Sequence, residues 1–332
     1  RSLTIRNLTT TTSGNAVVWF ASAAAANGAN NNTIKNCIIE GNSSTTSFTG
    51  VHVGGSTTIG LTTAGLEQNN SNTISNNLFR KSIYGVTMFG YGAATPDLNN
   101  VISNNNFGTS VTGEGHSLLA INADRQSSLI VSGNEVQNVV NATTTSSTPF
   151  GGIRLLDFKD GQCFNNKVHD LAYTGTSTPK IYGIAITSST YTTVGNPSNA
   201  LVYNNIVYKI NSTGTSAVWN LTGILASAGY GDKFYYNSVH LTGQLANSSS
   251  GLAAAFANGD GNITSVGSNI DVRNNSFSIT GSSATAGGNF WAYYTPANTL
   301  TGSVLNYNDL YAAGTNATNN VGRVNGTNYA TL

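Results

Sequence analysis

The sequence predicts an all-β fold, a solenoid of about ten coils, because two short patterns recur along the whole chain. In the first pattern, apolar residues lie two apart on either side of an Asn. In the second, a Gly is followed by an apolar, a variable and another apolar residue. Both patterns have the two-residue period of β-strands, and neither has the period of an amphipathic helix.

The Asn-centred pattern reads TISNNLF at 73–79 and VYNNIV at 202–207. Taking one Asn per copy, the spacing varies from 28 residues (77 to 105) to 41 residues (36 to 77), which indicates coils that carry loops of different length. Asn adopts the left-handed backbone region more readily than other residues that have a Cβ. Each copy is therefore predicted to be a strand, a tight Asn turn and a second strand.

The Gly-led pattern reads GVHV at 50–53 and GIRL at 152–155. Its first and third apolar positions are predicted to point into the core and its middle position to point outward. The predicted outward row is His52, Thr87, Ala120, Arg154, Ala185, Leu225 and Ala253.

Three short strands per coil, an Asn turn and a Gly-led strand resemble the right-handed parallel β-helix repeat of the pectate-lyase-like superfamily, of the secreted or surface bacterial kind. The resemblance covers nearly the whole chain, and it implies a right-handed, single-stranded parallel β-helix forming one domain over 1–332. It also implies that one Asn per coil stacks into a hydrogen-bonded ladder. The expected ladder residues are Asn36, Asn77, Asn105, Asn134, Asn166, Asn205, Asn237, Asn275 and Asn308.

Composition narrows the possible partners. Charged residues make up only 8% of the chain and the net charge is +1. Nucleic-acid binding requires clustered Lys and Arg, and electrostatic membrane docking requires a polybasic segment, so neither is expected. No apolar run is long enough to insert into a membrane. A neutral surface rich in hydroxyl and amide groups is instead typical of secreted or cell-surface rods.

The two cysteines and the chain ends support further expectations. Cys37 and Cys163 lie four coils apart and should remain unpaired.

The chain begins and ends within the repeat, so we expect a fragment or mature part of a longer secreted chain. Flanking domains or other copies of the chain would then cover the ends, because open β-helix ends expose unpaired backbone.

The densest group of charged residues allows two interpretations. Asp124 and Asp157 could stack one strand spacing apart as an acid/base pair or a Ca²⁺ site, with Arg154, Asp160 and His169 nearby. In the second interpretation, which we favour, these carboxylates form ordinary surface ion pairs with neighbouring Arg and Lys side chains. The first interpretation would make the protein a polysaccharide lyase or glycoside hydrolase that acts on acidic polysaccharide. The predicted outward row is poor in carboxylates, so the leading interpretation has no catalytic residue, no metal and no cofactor.

Aromatic residues point to glycans as ligands. Thirteen of the 15 Tyr lie beyond residue 170, and an aromatic ring with a polar tip suits stacking on a sugar. The candidate ligand-binding residues are Tyr230, Tyr236, Trp291 and Tyr294. In the pairs 235–236 and 293–294, a regular strand would turn one ring outward. The GDGN segment at 259–262 resembles part of a Ca²⁺ loop but lacks a second acid, and a turn is expected there.

These observations favour a non-enzymatic extracellular or cell-surface rod that acts as an adhesin, a spacer or a filament building block and that binds glycans. The alternative is the lyase or hydrolase described above.

Overall fold

The computed structural model describes residues 3–11, 14–22, 24–142, 148–177, 179–213, 221–246, 251–259, 266–296, 302–324 and 326–330. None of these residues is helical, and strands of successive coils pair in parallel. The chain is a right-handed parallel β-helix. Within the described ranges no helix has the length and hydrophobicity needed to cross a membrane.

The first sheet contains one three-residue strand from each coil, and its nine described strands pair in order along the axis. In eight of these nine strands the middle residue lies in the core and the outer two are partly or fully exposed, which gives the two-residue alternation of a half-buried strand. In the last strand the middle residue, Leu305, is 36% exposed. The strands are Thr33–Lys35, Thr73–Ser75, Val101–Ser103, Ile130–Ser132, Gln162–Phe164, Leu201–Tyr203, Lys233–Tyr235, Asp271–Arg273 and Val304–Asn306.

The second and third sheets follow in each coil, and their hydrogen-bond ladders join into one continuous 23-stranded sheet among the described residues. The second-sheet strands are Leu3–Arg6, Cys37–Glu40, Leu78–Arg80, Asn106–Phe107, Glu135–Val136, Val139–Asn141, Lys167–Tyr173, Ile206–Ser212, Ser238–Leu241, Ser276–Ile279 and Asp309–Ala312. The third-sheet strands are Ala16–Phe20, Thr49–Val53, Ser82–Phe89, Asp97–Leu98, His116–Ser127, Phe150–Lys159, Ile181–Thr187, Leu221–Ser227, Leu252–Asn258, Gly288–Tyr294, Ala317–Val324 and Thr327–Tyr329.

Short additional pairings occur beside the coils. Thr192–Thr193 pairs antiparallel with Asn196–Pro197, and Gln244–Ala246 pairs in parallel with Ser282–Ser283. At the C-terminal end of the third sheet, Thr327–Tyr329 turns back and pairs antiparallel with Ala317–Val324. A hairpin strand therefore covers that edge of the third sheet.

Stacked apolar side chains form the core along the axis. Equivalent residues of successive coils lie over one another, as Phe79 lies on Phe107 with ring centroids 4.7 Å apart and planes 14° apart. Phe256 stacks in the same way on its partner in the next coil, Tyr293, with centroids 5.6 Å apart and planes 9° apart. Because each coil contacts mainly its neighbours, the core is a continuous column.

A glycine marks the bend where the third sheet begins. A Cβ on Gly183 would lie 2.7 Å from the carbonyl oxygen of Gly223 and would overlap a methyl group of Val207 in the core. Gly183 and the following Ile184 therefore both face inward, and the strict alternation of the strand resumes after the bend. Glycine is required here for lack of space, which explains its recurrence in the Gly-led pattern.

Candidate functional site

The Asn turn between the first and second sheets sets the direction of every side chain near the site. In each described coil the turn residue has a positive φ, for example 55° at Asn165, and the next residue points back into the helix. That next residue, Asn166, is buried and joins its counterparts in neighbouring coils. Its Nδ2 donates to Asn205 Oδ1 at 3.0 Å and to the Val131 carbonyl at 2.9 Å. Its Oδ1 accepts from the backbone and side-chain nitrogens of Asn134, at 3.1 and 3.0 Å.

Eight of the nine expected ladder residues occupy this inward position, and one does not. Asn36 is the exposed turn residue, with φ 58°. The ladder position of its coil is occupied by Cys37, whose backbone N–H donates to Asn77 Oδ1 at 3.0 Å. The prediction for Asn36 is therefore wrong, because its copy of the pattern, TIKNCII at 33–39, has a single Asn, which stands at the turn. The eight in the ladder position are Asn77, Asn105, Asn134, Asn166, Asn205, Asn237, Asn275 and Asn308.

The surface of the first sheet has a strip of aromatic rings. Phe164 and Tyr203, in register on neighbouring strands, stack with centroids 4.7 Å apart and planes 6° apart. Tyr235 is the next residue in this row. Its hydroxyl donates to Asp271 Oδ2 at 2.8 Å, and burial raises its pKa to about 12, so the hydroxyl stays protonated. Asp271 is held in turn by Arg273 Nε at 2.6 Å.

An open groove of about 530 Å³ lies along this aromatic strip. Its walls combine aromatic rings, side-chain amides, one carboxylate and one ammonium group. The Tyr203 hydroxyl is 3.4 Å from Gln162 Oε1, and Asn199 Nδ2 donates to Asp160 Oδ1 at 3.0 Å. The residues that line it are Asp160, Gly161, Gln162, Asn199, Leu201, Tyr203, Lys233, Tyr235 and Tyr236. Such a groove can stack on sugar rings and exchange hydrogen bonds with their hydroxyl groups.

Of the four predicted ligand-binding aromatics, only Tyr236 lines this groove. Tyr230 is half-buried in a connection, where its carbonyl accepts from the backbone N–H groups of Ser198 and Asn199, both at 3.1 Å. Tyr235 and Tyr236 both reach the surface, because the positive φ of 56° at Tyr236 interrupts the alternation expected for a regular strand.

Trp291 and Tyr294 do not face solvent, so the prediction that they contact glycans is wrong for this structure. They are 1% and 6% exposed and pack edge to face, with centroids 5.1 Å apart. Arg323 lies over both rings, and Trp291 Nε1 donates to Asn328 Oδ1 of the terminal hairpin at 3.2 Å. Both belong to a second apolar cluster on the outer side of the third sheet. Other parts of the chain cover this outer side of the third sheet. A side chain that points outward from the strand can therefore still be buried.

The register of the third sheet also corrects two members of the predicted outward row. Ala120 and Ala255 occupy the bend position that Gly holds in other coils. The outward positions after those bends are therefore Asn122 and Ala257, in place of the predicted Ala120 and Ala253. His52 and Thr87 are buried, with His52 Nδ1 2.7 Å from Thr87 Oγ1. Burial lowers the pKa of His52 to about 4, so its imidazole is neutral at physiological pH.

The five residues of the catalytic alternative are distributed over three different surfaces. Asp124, Arg154 and Asp157 belong to the third sheet, Asp160 lines the first-sheet groove, and His169 lies on the second sheet.

On the third sheet, burial and the nearby Asp157 carboxylate raise the pKa of Asp124 to about 6. Arg154 donates to Asn122 Oδ1 at 3.2 Å. Asp157 accepts from the backbone N–H groups of Ser189 and Thr190, at 2.7 and 2.9 Å. Its carboxylate therefore anchors that loop.

Two carboxylates and one aromatic ring hold the His169 side chain on the second sheet. Its Nδ1 is 2.6 Å from Asp170 Oδ2, and its Nε2 is 3.1 Å from Glu135 Oε1. The ring stacks on Tyr208 with centroids 4.8 Å apart and planes 6° apart. In the described part of the chain, no group of three or more His, Cys, Asp or Glu side chains is placed to hold a metal ion. The segment 260–262 of the GDGN motif lies outside the described residues.

Sequence reasoning missed Gln162, Tyr203 and Lys233, and from the pair 235–236 it selected only Tyr236, although both line the groove. The signal was present in the third position of the first-sheet strands, which changes from polar residues to Phe164, Tyr203 and Tyr235 in three consecutive coils. Aligning the copies by strand position, instead of searching for charged motifs, would have revealed this row.

No known family matches the sequence, and no curated protein matches it. Among solved structures, the Azotobacter vinelandii mannuronan C-5 epimerase AlgE6 A-module is similar, with 10% identity and a TM-score of 0.40 over 98% of this chain and 86% of that one. The N-terminal fragment of bacteriophage Phi29 gene product 12 shows 11% identity and a TM-score of 0.40 over 98% and 63%. The Dettilon tailspike protein shows 12% identity and a TM-score of 0.37 over 94% and 58%. This chain spans less than two thirds of the latter two chains. The chain's own strand pairing establishes the parallel β-helix.

Proposed function

We propose that this protein is a non-enzymatic, secreted or cell-surface β-helix rod that binds glycan in the groove of the first sheet. The observation that carries this proposal is the in-register row of Phe164, Tyr203 and Tyr235 beside an open groove. Such a rod would act as an adhesin or spacer, because it presents a binding surface at a fixed place along a stiff column of coils.

The chemistry of the groove suits a sugar ring. Aromatic rings with polar tips contact the apolar faces of sugars, and nearby amides satisfy hydroxyl groups. Gln162 and Asn199 supply those amides. Since the row stands on paired strands, its geometry is organised before the ligand arrives, which lowers the entropy cost of binding.

The charge of the groove favours an uncharged glycan. Asp160 and Lys233 contribute one negative and one positive group to its walls. An acidic polymer would be expected to require an excess of cationic groups, and the net charge of the whole chain is only +1.

Calorimetric titration against a panel of soluble neutral and acidic polysaccharides tests the binding proposal. We expect a neutral glycan to bind, and we expect Tyr203→Ala to weaken its affinity at least about tenfold, or about 1.4 kcal/mol. Tyr208→Ala is the matched control, because Tyr208 stacks on His169 on the second sheet, away from the groove. Equal losses in the two variants, or no binding by the wild-type protein, would reject the groove as the glycan site.

A second experiment tests the absence of catalysis. Incubation with pectins, alginates and glycosaminoglycans, with and without Ca²⁺, should release no unsaturated or reducing ends. Release that Asp157→Asn abolishes would overturn the non-enzymatic proposal in favour of a lyase or hydrolase.

A further inference from the structure

The corner between the first and second sheets has an unusual sequence in two coils. The turn residue there has a positive φ in all nine coils for which the structure describes it. Seven of the nine are Asn or Gly, which suit this conformation. The other two are Tyr236 and Tyr307, with φ of 56° and 54°. An aromatic side chain is strained at such a position, so these two residues require a reason beyond the turn itself.

Both rings are directed toward solvent. Tyr236 is 59% exposed and Tyr307 is 76% exposed. Within the described part of the chain neither hydroxyl has a hydrogen-bond partner, and neither ring contacts another aromatic ring. The strain is therefore not offset by packing in the core. Functional residues commonly occupy positions where local conformational preference is violated without such compensation.

The two rings lie on one line along the axis of the β-helix. The backbone N–H of Tyr236 donates to the carbonyl of Arg273 at 3.4 Å, and that of Asn274 donates to the carbonyl of Asn306 at 3.4 Å. Tyr236, Asn274 and Tyr307 thus hold the same position in three consecutive coils. The outer two are separated by two strand spacings, about 9.6 Å.

Tyr236 also lines the first-sheet groove, so the line of rings begins at its edge. An extended β-linked hexopyranose chain advances per sugar by nearly the distance that a parallel sheet advances per strand. A chain lying along the axis would therefore place every second sugar over a tyrosine ring. The amide of Asn274, between the rings, can hydrogen-bond the hydroxyl groups of the intervening sugar.

We propose that Tyr236 and Tyr307 form a stacking track that runs parallel to the axis and extends the groove, and that its ligand is an extended, uncharged, β-linked polysaccharide. This inference rests on the proposed function, because it names the ligand class and the direction in which the glycan lies. Stacking on flat sugar faces explains why tyrosine occupies two positions that otherwise favour Asn.

The substitutions Tyr236→Asn and Tyr307→Asn test the track, because they restore the residue used in most other coils. We expect each variant to unfold at a higher temperature than the wild-type protein, since Asn relieves the strain. The probes are β-1,4-linked cello-oligosaccharides from the disaccharide to the hexasaccharide, with α-1,4-linked malto-oligosaccharides as the linkage control. We expect wild-type affinity to increase with length for the β-linked series only.

The expected binding pattern differs between the two variants. Tyr307→Asn should weaken hexasaccharide binding about tenfold and leave disaccharide binding unchanged, whereas Tyr236→Asn should weaken both. Tyr91→Asn, at an exposed tyrosine on a separate loop, is the matched control and should change neither. Increased stability together with reduced affinity would distinguish a binding role from a structural role.

Two results would overturn the inference and separate it from the proposed function. Hexasaccharide binding that survives Tyr307→Asn but is lost in Tyr203→Ala would reject the track and leave the groove as a glycan site. The same conclusion follows if wild-type protein binds other glycans but not the β-linked series. Failure to bind any glycan would reject both proposals.

Discussion

At the residue scale, the Asn ladder explains why one amide per coil is buried. Ladder side chains within the stack satisfy polar groups in the coils on both sides, and Asn166 does so with four hydrogen bonds between 2.9 and 3.1 Å. A buried donor or acceptor left without a partner costs about 1–3 kcal/mol. The ladder thus stabilises the bend and keeps successive coils in register.

We predict that Asn166→Ala lowers the free energy of unfolding by about 3 kcal/mol, because it leaves several buried partners unsatisfied. Denaturant titration measures the change. Asn106→Ala is the matched control, since Asn106 is exposed on its strand, and its effect should stay within about 0.5 kcal/mol. Equal effects for the two variants would show that the ladder contributes no special stability.

A buried carboxyl group makes stability depend on pH. Burial raises the pKa of Asp97 to about 7, while the backbone N–H of Tyr91 acts in the opposite direction. The folded state therefore holds a proton that the unfolded chain, with an Asp pKa of about 3.9, releases. This contribution to stability is complete below about pH 4 and is lost as the pH rises to about 7.

We predict that Asp97→Asn removes this pH dependence. The free energy of unfolding of the variant, minus that of the wild-type protein, should rise between about pH 4 and pH 7 by up to about 1.4 kcal/mol per unit. Denaturant titration at several pH values measures this difference. Asp309→Asn, the same substitution at an exposed position, is the matched control. A constant difference for Asp97→Asn would contradict the prediction.

At the scale of the element, the Gly-led strand combines a bend with a buried face. The pattern of alternating residues identified Ile153 and Ile184 as inward residues. It placed the outward row incorrectly in two coils, because Ala120 and Ala255 perform the role of the bend glycine. Alanine is accommodated where the local bend leaves room for its methyl group, and only the paired strands show which coils have that room.

We predict that Gly183→Ala destabilises the fold by about 1–3 kcal/mol, because the added methyl group would overlap Val207 and the Gly223 carbonyl. Thermal and denaturant unfolding measure the loss. Gly195→Ala is the matched control, since a Cβ at Gly195 has no atom within 4 Å and the change should be nearly neutral. A neutral Gly183→Ala variant would mean that this bend can expand.

At the scale of the whole molecule, the stacked coils protect the centre of the column. Cys163 is fully buried in the fifth of the nine described first-sheet strands, and burial raises its pKa to about 12. Cys37 is partly exposed near one end, and the two cysteines are unpaired. Coils at the ends separate more easily than central ones. The Cys37 thiol therefore reports on the accessible end of the column, and the Cys163 thiol reports on the opening of its centre.

We predict that a thiol reagent modifies Cys37 rapidly in the native protein and Cys163 only at the rate of global unfolding. Mass spectrometry of timed samples follows both reactions. The Cys37→Ser variant should lose the rapid reaction and keep the slow one. Rapid modification of Cys163 in native buffer would show that the column opens locally at its centre.

Local chemistry made most of the fold predictable. The left-handed preference of Asn predicts the turn, two-residue alternation predicts the strands, and the recurrence of both predicts the solenoid. These signals involve neighbours in sequence, so they can be read without knowing how the coils are covered. The same reasoning identified Tyr236 as a surface residue.

Only the tertiary structure decided which outward side chains meet solvent. Trp291 and Tyr294 point away from the core yet are buried under other parts of the chain, whereas Tyr307 stands free at the corner. Exposure depends on segments that are distant in sequence. The alignment of Phe164, Tyr203 and Tyr235 into one row also depends on the register between coils whose loops differ in length. The residues in one strand could not specify that register, because the pairing of whole coils sets it.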